Sequence, residues 1–178
     1  MPFVKSTVTS NGGNVMGIAT SPIVREAGEG EALWFLGALG TIKGSGAATG
    51  GTTMISEWWA PRDHGSPLHV HHREHEWFYV LSGEVTFWID GLVTVAGPGA
   101  FVFGPLGVPH TFIVTSDEAR FLLVTQPTGF EDFVRAVAEP ATRPVLPPAT
   151  VTPPPPDVLG SVAAEHGIEI LGPPGIPD

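Results

Sequence analysis

Short apolar runs recur along the middle of this chain at intervals too brief for helices. From Thr52 onward they return every eight to twelve residues, at Thr52–Trp59, Leu68–His71, Glu76–Leu81, Val85–Ile89, Leu92–Val95, Phe101–Phe103, His110–Val114 and Arg120–Thr125. Strand side chains alternate between faces, so such runs suit half-buried strands. Turn signals separate them. Asp90-Gly91, between Ile89 and Leu92, has the chemistry of a two-residue hairpin. Ser82-Gly83 and Gly97-Pro98-Gly99 mark further reversals. The spacing predicts an all-β sandwich or barrel.

The flanks differ. Residues 1–30 read as an irregular arm, and Ala32–Ile42 as one or two strands. Gly44–Gly51 reads as a flexible turn, because it lacks the Lys and the spacing of a phosphate-binding loop. Phe130, Phe133, Val134 and Val137 share one face of a predicted helix over Phe130–Val137, which Pro140 stops. A proline-rich crossing follows over Pro144–Pro156, then a short helix over Val158–Glu165 and a strand-like Ile168–Leu171. The expected organisation is a single domain over 1–178: an N-terminal arm (1–30), a β-barrel body (31–127), and a C-terminal helix with a proline-rich tail (128–178).

Composition narrows the partners. The 178 residues are 42% hydrophobic, enough for a real core. Net charge is -10 with only eight Lys plus Arg and no basic run, which argues against nucleic acid and against an anionic membrane. A small organic molecule in an apolar pocket fits better. The absence of cysteine excludes disulfides, thiolate ligands and Cys nucleophiles. No apolar run reaches transmembrane length, and Met1–Lys5 leads into polar residues rather than a signal-peptide core, so the expected location is cytoplasmic.

The chemistry gathers in two segments. The first holds His69, His71, Glu76 and Gly83; the second holds Gly99, Pro105, Gly107 and His110. His69 and His71 share a strand face, and Glu76 and His110 each begin a strand. A small barrel brings such starting points together in its mouth, among Phe78, Phe87 and Phe112, which makes these three the expected substrate-pocket residues. Three neutral imidazoles and one carboxylate suit a divalent transition metal with coordination positions left open. His64, His72 and His75 read as exposed or supporting, Glu74 as a poorer-spaced substitute for Glu76, and Arg62, Arg73 and Lys43 as solvated surface. His75-Glu76 does not open a helical zinc-protease motif, because Tyr79 stands where its second His belongs.

These segments resemble the two motifs of the cupin superfamily, G-x5-H-x-H-x3/4-E-x6-G and G-x5-P-x-G-x2-H-x3-N. Every position named above matches in spacing. Two positions depart: Asp63 replaces the leading glycine of the first motif, and Val114 the final Asn of the second. The resemblance implies a double-stranded β-helix, or jelly-roll, barrel. It also implies one divalent metal (iron, nickel, manganese, copper, cobalt or zinc) on His69, His71, Glu76 and His110. The stretch around Glu76–Gly83 is similar to small single-domain cupins described as quercetin-2,3-dioxygenase-like. That likeness implies a metal-dependent dioxygenase of a small aromatic or enolic, flavonol-like compound, with Glu76 as catalytic base and dioxygen as co-substrate. Two other outcomes stay open: a non-oxidative isomerase, cyclase or decarboxylase, and a small-molecule-binding cupin without catalysis. Open edge strands lead us to expect a homodimer.

Overall fold

Period-two alternation becomes two antiparallel sheets laid face to face. The computed structural model describes residues 21–177. Its strands are β1 (Glu31–Phe35), β2 (Ala38–Gly44), β3 (Met54–Pro61), β4 (Pro67–His71), β5 (His75–Ser82), β6 (Val85–Ile89), β7 (Leu92–Ala96), β8 (Phe101–Gly104), β9 (His110–Val114), β10 (Glu118–Gln126), β11 (Glu139–Pro140) and β12 (Ile168–Pro174). The helices are α1 (Gly46–Thr49), α2 (Phe130–Val137) and α3 (Pro156–Glu165). One sheet runs β11-β1-β2-β3-β10-β5-β8 and the other β12-β4-β9-β6-β7. This is the jelly roll that the motif resemblance implies, within the sandwich or barrel class that the strand spacing predicts.

Alternation decides what lies between the sheets. On β5, Glu76, Phe78 and Val80 are buried, while Tyr79 and Leu81 face outward. On β10, Phe121, Leu123 and Thr125 point inward in the same way. Phe78, Phe87, Phe112 and Phe121 meet in the centre with ring centroids 4.9 to 6.0 Å apart. Edge-to-face and tilted pairs of this kind add to the burial of their large apolar areas.

The turns follow their residues. Asp90 and Gly91 both have positive φ, +47° and +88°, which a two-residue turn needs to match strand twist. The segment expected as a flexible turn at Gly44–Gly51 instead contains the single helical turn α1. A carboxylate distant in sequence pins it: buried Glu131 accepts the Gly46 N–H at 2.6 Å and the Gly129 N–H at 2.9 Å. That interaction ties the β2–β3 connection to the start of α2, and nothing local to Gly44–Gly51 announces it.

The arm expected over 1–30 lies outside the described residues up to position 20, and 21–30 are exposed and form no strand. Within the C-terminal stretch, β12 pairs with β4 from Ile168 opposite His71 to Pro174 opposite Pro67. The proline-rich crossing is held to the body where the Trp34 indole N–H donates to the Val145 carbonyl at 2.8 Å.

Gly83 tests the backbone logic of the first motif. Its φ is +78°, and a Cβ there runs into the Glu118 carbonyl oxygen. Gly83→Ala should therefore lower unfolding stability by at least ~2 kcal/mol. Gly91→Ala, equally strained in φ but facing open space, should cost roughly 1 kcal/mol. Urea denaturation followed by tryptophan fluorescence measures both.

Candidate metal centre

Three strands deliver the four donors. β4 presents His69 and His71 inward, Glu76 is the second residue of β5, and His110 is the first of β9. Register then brings them together. His69 lies directly opposite His110 across the β4–β9 pair, and Glu76 lies opposite Gly104, whose missing side chain leaves room for the His110 ring. The two motifs are also joined through the backbone, where the Gly107 N–H donates to the His71 carbonyl at 2.9 Å.

The donors converge on one point. One ligand atom from each of His69, His71, Glu76 and His110 lies within 4.8 Å of all the others. His69 Nε2 is 3.1 Å from His71 Nε2, His110 Nε2 is 2.9 Å from a Glu76 carboxylate oxygen, and His71 Nε2 is 3.6 Å from that same oxygen. Donors bonded to one ion at about 2.0–2.2 Å stand at comparable separations.

The outer nitrogens show which way each imidazole faces. His69 Nδ1 lies 2.8 Å from the Pro67 carbonyl and His110 Nδ1 2.9 Å from the Val108 carbonyl. A carbonyl only accepts, so each Nδ1 carries the proton and each Nε2 of a neutral ring is bare. His71 Nδ1 is held in the same sense by Glu74 at 2.7 Å. Two bare Nε2 atoms 3.1 Å apart, beside a carboxylate, form a set that a cation completes.

Electrostatics agrees. Burial pushes His69 down to about 3, helped by the neighbouring His110 and His71. For Glu76 burial acts upward, but the attraction of His71 and the hydrogen bond with His110 outweigh it and hold the carboxyl at about 2. His110 goes the other way. Burial lowers it, yet the bond to Glu76 wins and raises it above its ordinary 6.5. At neutral pH the centre thus has an ionised carboxylate and a neutral His69, with His110 drawn toward its protonated form by Glu76.

Beside these donors lies a cavity of about 70 Å³. His69 and Glu76 border it. Its walls are apolar, from Trp58 and Phe112 of the barrel to Phe130, Leu159 and Ile168 of the C-terminal segment. Among the described residues, no Lys or Arg lines it. Arg62 instead bonds Asp117 and the Thr115 carbonyl, Lys43 pairs with Glu57, and Arg73 packs over Gly167.

The expected pocket residues separate. Phe112 lines the cavity, whereas Phe78 and Phe87 do not border it. They pack behind Phe112 at 5.8 and 5.9 Å, because the cavity opens toward α2, α3 and β12 rather than along the aromatic centre. Two supporting residues escaped the sequence reading. Glu74 is fully buried behind His71 and orients it rather than substituting for Glu76. Its signal was a carboxylate three residues past a predicted ligand, within a turn. His64, read as exposed or supporting, lines the cavity, and burial pushes it down to about 4, so it stays neutral. His72 is exposed and pairs with Glu169, and His75 Nδ1 accepts the Leu106 N–H in the loop before His110.

Residues 59–125 match the family model described as a cupin domain. These residues form a cupin domain. The chain is 29% identical over 126 residues to the quercetin 2,3-dioxygenase of Bacillus subtilis (strain 168), an alignment that covers 71% of this chain and 37% of that relative's length. It also shares its fold with a predicted oxalate decarboxylase from Thermotoga maritima. There the TM-score is 0.55 at 21% identity, over 59% of this chain and 99% of the other. An RmlC-like cupin from Shewanella frigidimarina superposes with a TM-score of 0.53 at 23% identity, over 62% and 95%. The motif departures have a structural account in this chain. Asp63 keeps the left-handed backbone (φ +63°) that the leading glycine adopts freely, a conformation Asp tolerates better than most residues. Val114 is buried in the core and meets the 63–64 turn through its backbone, its N–H donating to the His64 carbonyl and its carbonyl accepting the Asp63 N–H.

Glu74→Gln should reduce metal affinity by about 10- to 100-fold, the usual effect of removing a carboxylate behind a ligating imidazole, with the fold retained. Competition against a chromogenic chelator measures it. The bond to Glu76 that raises His110 favours its protonated form, which competes with a metal ion, so affinity should fall as pH drops. Titration with Ni²⁺ over a pH series measures it, and an affinity independent of pH would contradict it.

Proposed function

We propose that this protein is a metal-dependent dioxygenase of a small aromatic or enolic compound, with a divalent transition metal held by His69, His71, Glu76 and His110. The observation that carries the reading is the junction of a buried donor set with an apolar cavity free, among the described residues, of cationic side chains. A neutral planar molecule fits such a wall. The similarity to a quercetin 2,3-dioxygenase supports the same class of substrate. When bound, the metal supplies a Lewis-acidic anchor for the substrate's deprotonated oxygen and a place for dioxygen beside it.

The protein's own groups do the rest. Glu76 borders the cavity, and its carboxylate takes the proton of the substrate hydroxyl as that oxygen arrives. His69 and His71 are turned toward the centre by the Pro67 carbonyl and by Glu74. Trp58, Phe112 and Phe130 exclude water from the reacting face. His64 remains an uncharged polar contact on a wall that is otherwise almost wholly apolar.

Purified protein should carry close to one iron, nickel, manganese, copper or cobalt per chain by elemental mass spectrometry, and His69→Ala and His110→Ala should lose it. The loaded protein should consume dioxygen with quercetin or related enols in an oxygen-electrode assay. Glu76→Gln should slow that uptake by at least about 100-fold. Absence of oxygen uptake with every metal would sink the dioxygenase reading, and turnover in strict anaerobiosis would replace it with a non-oxidative proton-transfer enzyme.

A further inference from the structure

Among the side chains that border the cavity, polar atoms come from Trp58, His64, Ser66, His69 and Glu76. All but one are already engaged. The Trp58 indole N–H donates to Ser56 Oγ at 2.8 Å. Ser66 Oγ stays with β9, 3.4 Å from both Thr111 Oγ1 and the Phe112 nitrogen. His69 and Glu76 belong to the donor set. His64 is left. Its ring meets the Leu36 backbone and lies 5.9 Å from the Phe112 ring, and among the described residues no side chain hydrogen-bonds it.

The backbone fixes where that ring sits. The His64 N–H donates to the Pro61 carbonyl at 3.2 Å, and the His64 carbonyl accepts the Val114 N–H at 2.8 Å. Gly65 then bridges to Ile113, so close to the Phe112 carbonyl that a Cβ has no room there. On the far side, a Cβ placed on Gly37 would stand 3.8 Å from His64 Nδ1. Nδ1 thus lies against the Leu36–Gly37 turn, which leaves Nε2 for a ligand. Burial keeps the ring neutral, so it offers one donor and one acceptor. An imidazole nitrogen taken from water without a partner costs free energy, which a ligand hydroxyl offsets.

Strand β9 measures how far this group stands from the donors. His110, opposite His69, is its first residue, and Val114, bonded to the His64 backbone, is its last. At about 3.3 Å per residue, those ends are about 13 Å apart. The cavity therefore has two polar ends, with Phe112 of the same strand as the wall between them.

We infer that His64 is a specificity-determining residue, which hydrogen-bonds a hydroxyl or carbonyl oxygen at the end of the substrate remote from the metal centre. The preferred substrate is then an elongated planar molecule with oxygen at both ends. The inference rests on the reading of this centre as one that takes aromatic or enolic compounds. A single-ring enol reaches one end only and gains nothing from His64. A hydroxyl suits a neutral imidazole in either sense, because it both donates and accepts.

Trp58 borders the cavity, so quenching of tryptophan fluorescence reports occupancy without turnover. The probes are 3-hydroxyflavone and its 4′- and 7-hydroxy derivatives, each adding one hydroxyl remote from the enol, titrated into nickel-loaded protein under argon. In the wild type at least one derivative should bind about 10-fold more tightly than the parent compound. His64→Phe keeps a ring and removes its hydrogen bonds. It should abolish that preference while keeping the parent's affinity, the metal content and the melting temperature. Should His64→Phe fail to fold, His64→Ala decides by the same ratio. A wild type without the preference, or variants that retain it, overturns the inference and leaves the flavonol reading standing, with His64 a prop for the Leu36–Gly37 turn. If the wild type binds none of the three compounds, the substrate class itself falls and the inference falls with it.

Discussion

Burying three imidazoles and a carboxylate within 4.8 Å of one another is the constraint the rest of this fold answers. Removing such groups from water is costly unless each polar atom finds a partner. The partners are specific: two backbone carbonyls and Glu74 hold the outward nitrogens, and the inward nitrogens face one another and Glu76. The strand pairing that sets His69 opposite His110 and the glycine at 104 beside it exist in service of that geometry. The aromatic centre behind Phe112 keeps the positions from relaxing, because close-packed rings leave the strands little freedom to shift.

What could be read in advance was whatever depended on spacing alone. The strands, the Asp90-Gly91 hairpin, the helix over Phe130–Val137 and the four donors all follow from local periodicity or from fixed intervals between residue types. What could not be read depended on contacts between distant segments. Glu131 and Gly46 are 85 residues apart, and neither suggests that together they form and anchor a helical turn. His64 is polar and close to Asp63, which suggests exposure. It turns into the cavity because the Arg62–Ser66 turn is bonded to the Thr115–Asp117 region and to Val114. Phe78 and Phe87 were placed on the right side of their strands but on the wrong side of Phe112. Alternation gives the face and is silent on depth.

Strand β5 concentrates these lessons. Eight residues alternate between two tasks, with Glu76, Phe78 and Val80 serving the interior and Trp77, Tyr79 and Leu81 the exterior. A one-residue slip would exchange the faces completely and put a Trp where the carboxylate belongs. The bulge in its pairing with β10 falls between Arg120 and Phe121, past the last of these inward residues, so the irregularity is spent where it disturbs neither task.

The cavity wall is shared unequally along the chain. All four donors lie within residues 59–125, whereas Phe130, Phe133, Leu159, Ile168 and Ile170 come from the segment beyond the cupin match. The donor set and one side of the cavity wall therefore lie in separate parts of the sequence. Exchanging Leu159 for a larger or smaller side chain reshapes the cavity without touching a donor or its hydrogen bonds. A chain divided in this way can reshape its cavity while keeping its donor set, and directed evolution of this protein should begin at its C-terminal third.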